Sequence, residues 1–155
     1  MPKIDTLIKE SRTNHFKLLT LVGNNAAKIE RLIEYLKDEG WTVYDVEEYV
    51  LRMTEKISPE KIKLRIGTEL RKWIKKMSTE RIVLINSNIL YSPEMDKIGP
   101  FAQFKYAMRG SKEGILFLDA RLRGHTAIYS TPDRADHKEI DLSEVLYIEL
   151  DDVTL

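Results

Sequence analysis

The order of apolar runs and glycine turns predicts an α/β domain, a three-layer parallel sheet with flanking helices. Three observations carry this expectation. Residues 16–22, 81–86 and 114–119 are short, nearly continuous apolar runs. Strands buried on both faces read this way, whereas half-exposed strands alternate. The first run ends in Gly23-Asn24-Asn25, and Ile29, Leu32, Ile33 and Leu36 then recur at helical spacing. With a second strand at 41–44, the order is strand, glycine turn, helix, strand, a βαβ unit that calls for a parallel sheet.

The remaining elements follow in order. The helix over 26–39 ends at Gly40, where a left-handed cap belongs. Asp45 with Glu48 three residues on resembles a capping pair. It starts a short helix over 46–54 that buries Val46, Tyr49, Val50 and Met53. Ser58-Pro59 is another start signal. Two readings stay open there. One helix over 59–77 would align Ile62, Ile66, Leu70, Trp73, Ile74 and Met77. Alternatively 61–66 is extended, with Gly67 as the break and Thr68 as N-cap. A loop with Ser92, Pro93, Gly99 and Pro100 follows the 81–86 strand and leads to a helix over 101–108. Residues 126–130 and 145–149 are short strands, and 131–137 is a polar loop. There is no repeat, low-complexity tract or linker, so residues 1–155 form one domain.

Composition bounds the function. At 155 residues the chain can bury a full core. No apolar run approaches the roughly 20 residues that span a bilayer, and residues 1–14 lack the apolar core of a signal peptide. Absence of cysteine excludes disulfides, thiolate metal sites and a cysteine nucleophile. The expectation is a cytoplasmic protein with no membrane partner. A formal net charge of zero does not give the basic field of a strong nucleic-acid binder. The charge is unevenly spread, however. Residues 61–76 hold seven bases (Lys61, Lys63, Arg65, Arg71, Lys72, Lys75, Lys76) and one acid, whereas 139–152 hold six acids and no base. The basic stretch reads as a solvated helix face or as a local phosphate-binding patch, through which DNA is a candidate partner.

Strand, glycine turn and helix is where nucleotide-binding proteins hold phosphate, on backbone N–H groups and a helix N-terminus. The layout is P-loop NTPase-like, and ATP or GTP are the candidate nucleotides. The loop is degraded, however. Against G-x-x-x-x-G-K-[ST], Gly23-Asn24-Asn25-Ala26-Ala27-Lys28-Ile29 keeps the first glycine and lacks the second. Aligned on Lys28, Ile29 replaces the Ser or Thr that would hold magnesium; aligned on Gly23, Ile29 falls at the lysine. The 81–86 strand ends in Asn86 and Asn88, where a metal-binding carboxylate would stand. The expectation is no efficient hydrolysis and no catalytic residue. Gly23, Asn24, Asn25, Ala26, Ala27, Lys28, Asn86 and Arg109 are candidates for residual nucleotide contacts. The alternative is that Gly23 only makes a tight turn and Lys28 is solvated.

Four segments in order carry a family resemblance. They are Lys17-Leu18-Leu19-Thr20-Leu21-Val22-Gly23; Arg81 through Asn88 to Ser92-Pro93-Glu94-Met95; Met108-Arg109-Gly110 with the 114–119 strand; and Ala127-Ile128-Tyr129-Ser130-Thr131-Pro132 followed by His137-Lys138-Glu139-Ile140. On these the chain resembles BrxF, the small P-loop-containing protein of BREX phage-defence systems. The resemblance implies an assembly or regulatory subunit beside larger ATPase, phosphatase-like and methyltransferase proteins. The short loop makes this chain a degenerate member.

Other candidates are weaker. His15, His125 and His137 are the only histidines, too few and too scattered for the roughly four ligands of a structural metal site. His137 stands among Asp133, Asp136 and Glu139, as a general base would, but such a run is also an ordinary polar loop. Arg109 either contacts phosphate or complements a helix C-terminus. Trp41, Trp73 and Tyr106 read as core or as base-stacking groups. Tyr91 and Phe104 read as core.

Overall fold

A strand apolar on both faces has to be covered on both faces, and the connections decide how. The computed structural model describes residues 1–91, 99–129 and 138–155. In chain order the elements are α1 (Ile4–Ser11), β1 (Leu18–Val22), α2 (Ala26–Asp38), β2 (Thr42–Asp45), α3 (Val46–Lys56), α4 (Pro59–Lys76), β3 (Arg81–Ile85), α5 (Pro100–Ala107), β4 (Glu113–Leu118), β5 (Arg121–Arg123), β6 (Thr126–Tyr129), β7 (Lys138–Asp141) and β8 (Tyr147–Glu149). Short 3-10 turns lie at Ser87–Tyr91 and Leu150–Asp152. Five strands form one sheet in the order β2-β3-β4-β1-β8, and every pair in it is parallel. Strands β5, β6 and β7 form a separate antiparallel sheet.

From β1 the chain crosses β4 and β3 to reach the edge strand β2. It then steps back through β3 and β4, and finally past β1 to β8. Right-handed crossovers in opposite directions place their connections on opposite faces. Accordingly, Leu32 and Leu36 of α2 pack with Leu19, Leu21, Val83, Ile115 and Phe117 on one face, joined by Ile4, Leu7 and Ile8 of α1. Helices α3, α4 and α5 and the small sheet cover the other face against Leu18, Val22, Ile82, Leu84, Leu116 and Leu118. Tyr35 of α2 donates its hydroxyl to Asp5 Oδ2 of α1 at 2.7 Å, and that bond holds the phenol pKa up at about 12.

The local signals act as expected in most places. Asp45 caps α3 by accepting from the Glu48 N–H at 3.1 Å. Gly40 has a left-handed φ of +94° beyond α2. Of the two readings at 59–77, the single helix holds. Pro59 opens α4, and Ile62, Ile66, Leu70 and Ile74 form its buried stripe. The extended alternative for 61–66 fails because Ile62 and Ile66 lie one turn apart on one face, while Leu64 turns outward and is 85% exposed. Helix α1 and strands β5 and β7 add to the expected elements. In α1, Ile4, Leu7, Ile8 and Ser11 fall at the spacing of one buried face. The candidates Ser92, Pro93, Glu94, Met95, Ser130, Thr131, Pro132, Asp133, Asp136 and His137 lie outside the described residues.

At the end where the strands begin, Glu113 accepts from Arg12 Nε and Nη2, both at 2.8 Å, and Arg81 Nε lies at 3.5 Å. Arg81 also stands over the Trp41 ring, 5.1 Å from its centroid. Burial alone would push the Glu113 carboxyl up, but the hydrogen bonds and charge of Arg12, reinforced by Arg81, bring it below its usual value.

Two outcomes follow. Leu70→Ala should cost about 2–5 kcal/mol in urea unfolding, as a buried leucine does, whereas Leu64→Ala should change stability by less than about 0.5 kcal/mol; equal effects would contradict the register of α4. A depressed folded pKa contributes stability that is complete above the unfolded value, about 4.3 for Glu, and is lost as pH falls through the lower folded value. Glu113→Gln should therefore flatten this acid limb, measured as the unfolding midpoint against pH.

Candidate functional site

In an open parallel sheet, ligands bind beyond the carboxyl ends of the strands, where neighbouring connections leave in opposite directions. Here that point lies between β1 and β4. The Gly23 N–H donates to Leu118 O at 3.0 Å, joining the two strand ends, and Gly23-Asn24-Asn25 leads into α2. Gly23, Asn24, Asn25, Ala26, Ala27 and Lys28 therefore share one loop and helix start, as the sequence indicates.

The surroundings of that loop are already filled. The 3-10 turn Leu150–Asp152 follows β8 and packs against it. Gly23 has φ +155°, and a Cβ on it would lie 2.9 Å from Leu150 Cβ. Leu150 is fully buried. Asn25 uses both ends of its amide: its oxygen accepts from the Lys28 N–H at 3.2 Å, and its nitrogen donates to Asp151 Oδ1 at 3.3 Å. Lys28 Nζ donates to Asp151 O at 2.8 Å. One helix-start N–H and the lysine that would face a phosphate are both engaged, and a carboxylate stands beside them. Such a charge disfavours a bound anion.

Asn86 is not part of this cluster. It follows β3, with β4 between it and β1, and its amide donates to Oδ2 of Asp45, the last residue of β2, at 3.0 Å. Its φ of +56° is the one left-handed value at a non-glycine among the described residues, a conformation asparagine tolerates. Asn88 reaches closer, donating to Asp119 O at the end of β4 at 3.4 Å. Sequence reasoning missed Leu150 and Asp151 as neighbours of the loop. Asp151 lies in the acidic stretch 139–152, whose destination the sequence does not reveal.

Arg109 stands at the opposite end. It precedes β4, whose six residues separate it from the Gly23 end by about 17 Å of strand. Lys17 Nζ donates to Gly110 O at 2.6 Å, fixing this corner to the start of β1. Arg109 lines an open cavity of about 480 Å³ with Arg71, Lys75, Tyr106 and Lys112. It cannot act on a ligand held at Gly23 in the same chain.

The other candidates disperse. His15 packs edge-on against Phe16, and the His125 carbonyl accepts from the Leu142 N–H. Among the described residues no three His, Asp or Glu side chains gather as a metal ion would require, and no helix is long and apolar enough to cross a membrane. Trp41, Tyr91 and Phe104 are buried. Trp73 is half-buried and stacks on Tyr49 at 4.0 Å. Tyr106 is 46% exposed.

Gly23→Ala should destabilise the fold by about 1–3 kcal/mol, because the backbone there suits only glycine and the new methyl meets Leu150. Urea unfolding measures it, and an unchanged midpoint would show that the loop is not held against Leu150.

The chain matches no protein-family model, no curated protein and no solved structure in these comparisons.

Proposed function

We propose that this chain is a non-catalytic, P-loop-like module of a BREX-type phage-defence system. In this reading it is an assembly or regulatory subunit that works through contacts with larger defence proteins, as the resemblance to BrxF implies. Support for the layout comes from the glycine turn after the inner strand β1, with β4 interposed before β3. The observation that carries the non-catalytic reading is the plugged loop. Leu150 lies against Gly23, and Lys28 is bonded to the backbone of Asp151. Phosphoryl transfer depends on positioning and on neutralising phosphate charge with a metal and cations. Here Ile29 stands where a hydroxyl would hold the metal, and Asn86, in place of a carboxylate, is bonded to Asp45.

The expected result is phosphate release from ATP and GTP at the no-protein rate, and an unfolding midpoint unmoved by ATP, ADP or GTP with magnesium. A nucleotide at 100 times its dissociation constant would stabilise the native state by about 2.7 kcal/mol, a readily measured rise. Such a rise without turnover would replace this reading with a nucleotide-binding switch. Affinity purification from the native host should recover larger partners; recovery of the chain alone would contradict the subunit role.

A further inference from the structure

We propose that the cavity between α4, α5 and the loop entering β4 binds the phosphodiester backbone of a single-stranded nucleic acid. The cavity measures about 480 Å³ and is lined by Arg71, Lys75, Tyr106, Arg109, Ser111 and Lys112, with no carboxylate among the described residues of its wall.

Its cations are placed without being neutralised. Arg71 Nε donates to the neutral Gln103 amide oxygen of α5 at 2.9 Å. Lys112 Nζ donates to the carbonyls of Met77 and Thr79, each at 3.2 Å. Lys75 and Arg109 make no hydrogen bond or ion pair among the described residues. Arg71 and Lys75 stand one turn apart on α4, and like charges at that spacing cost helix stability. Five bases elsewhere have carboxylate partners, Arg12 and Arg81 with Glu113, Arg52 with Glu48, Lys72 with Glu69 and Lys105 with Glu144, and none of them lines the cavity. Four uncompensated cations around one concavity raise a positive potential that an anion would relieve.

Two features favour a strand over a free phosphate. Beyond the cavity α4 carries further exposed bases, Lys61, Arg65 and Lys76; its 18 residues extend about 27 Å, room for several phosphates. Tyr106 stands at the cavity with its ring braced edge-on by Phe16, centroids 5.3 Å apart. A half-exposed, braced aromatic beside a cationic track is a stacking platform for an unpaired base. The site uses the end of the sheet opposite the plugged loop, so it stands or falls independently of the non-catalytic reading.

The test is fluorescence anisotropy of a labelled oligothymidylate with the intact protein, titrated with salt. Binding should weaken with a log–log slope of roughly −3, about −0.7 for each of four phosphates neutralised. Lys75→Glu with Arg109→Glu should weaken it at least tenfold or so. Tyr106→Ala should weaken it about fivefold or more with the salt slope retained. Lys37→Glu, on the exposed side of α2, should leave binding unchanged. All four positions are exposed, so each variant should keep the unfolding midpoint, which is checked alongside. No binding at low salt, or equal binding by the Lys75/Arg109 variant, would overturn the proposal. So would displacement by pyrophosphate, duplex DNA or polyglutamate as effective as displacement by the unlabelled strand.

Discussion

Burial of the parallel sheet on both faces is the constraint from which the rest of this structure follows. Its inner strands present apolar side chains up and down, so helices have to occupy both faces. The chain meets that demand by one long crossover from β1 to β2 and a return in the opposite direction. Once both faces are covered, polar chemistry has only the two ends of the strands. Everything that can bind or react is pushed to the turns that leave the strands or to the loops that enter them.

The two ends have been treated differently. At the leaving end, Leu150 and Asp151 return from the last strand and occupy the space beside Gly23, and Asp45 and Asp119 stand at neighbouring strand ends. At the entering end, Arg12 and Arg81 neutralise Glu113, while Arg109 and Lys112 meet Arg71 and Lys75 around an open cavity. A parallel sheet ordinarily offers its leaving end to ligands. Here the glycine loop at that end is filled by the protein's own side chains, and a charged cavity opens at the other end.

The strands β1, β3 and β4, helix α2 and the Asp45 cap were legible because each rests on a short-range signal: an apolar run, a helical period, or a capping oxygen three residues from its N–H. The single helix α4 was legible in one of two readings, and the burial of Ile62 and Ile66 decides between them. What could not be read were contacts between distant segments. Leu150 against Gly23 depends on β8 pairing with β1, and no local pattern encodes that pairing. Arg109 illustrates the same limit. Its neighbourhood on the chain resembles a phosphate-contacting position, yet a residue before a parallel strand lies at the opposite end from a residue after one. The loop residues Gly23 to Lys28 lie together because they are contiguous, whereas Asn86 lies apart from them, because β4 separates it from β1. Helix α1 carries a readable period in Ile4, Leu7 and Ile8, but it is short, and the charged Lys3, Asp5, Lys9 and Glu10 around it obscure the period.

Gathering bases around one cavity and acids in one stretch of the chain has a consequence for the molecule in solution. Its formal net charge is zero and its sequence pI is about 6.9, so near neutral pH there is little overall repulsion between copies. What remains is attraction between unlike patches, the cationic cavity wall of one copy and the acid-rich 139–152 stretch of another. Added electrolyte screens that attraction over a Debye length of about 8 Å at physiological ionic strength. The protein is therefore expected to salt in: its solubility near neutral pH should rise from water to dilute buffer, the reverse of a chain whose like charges hold it apart.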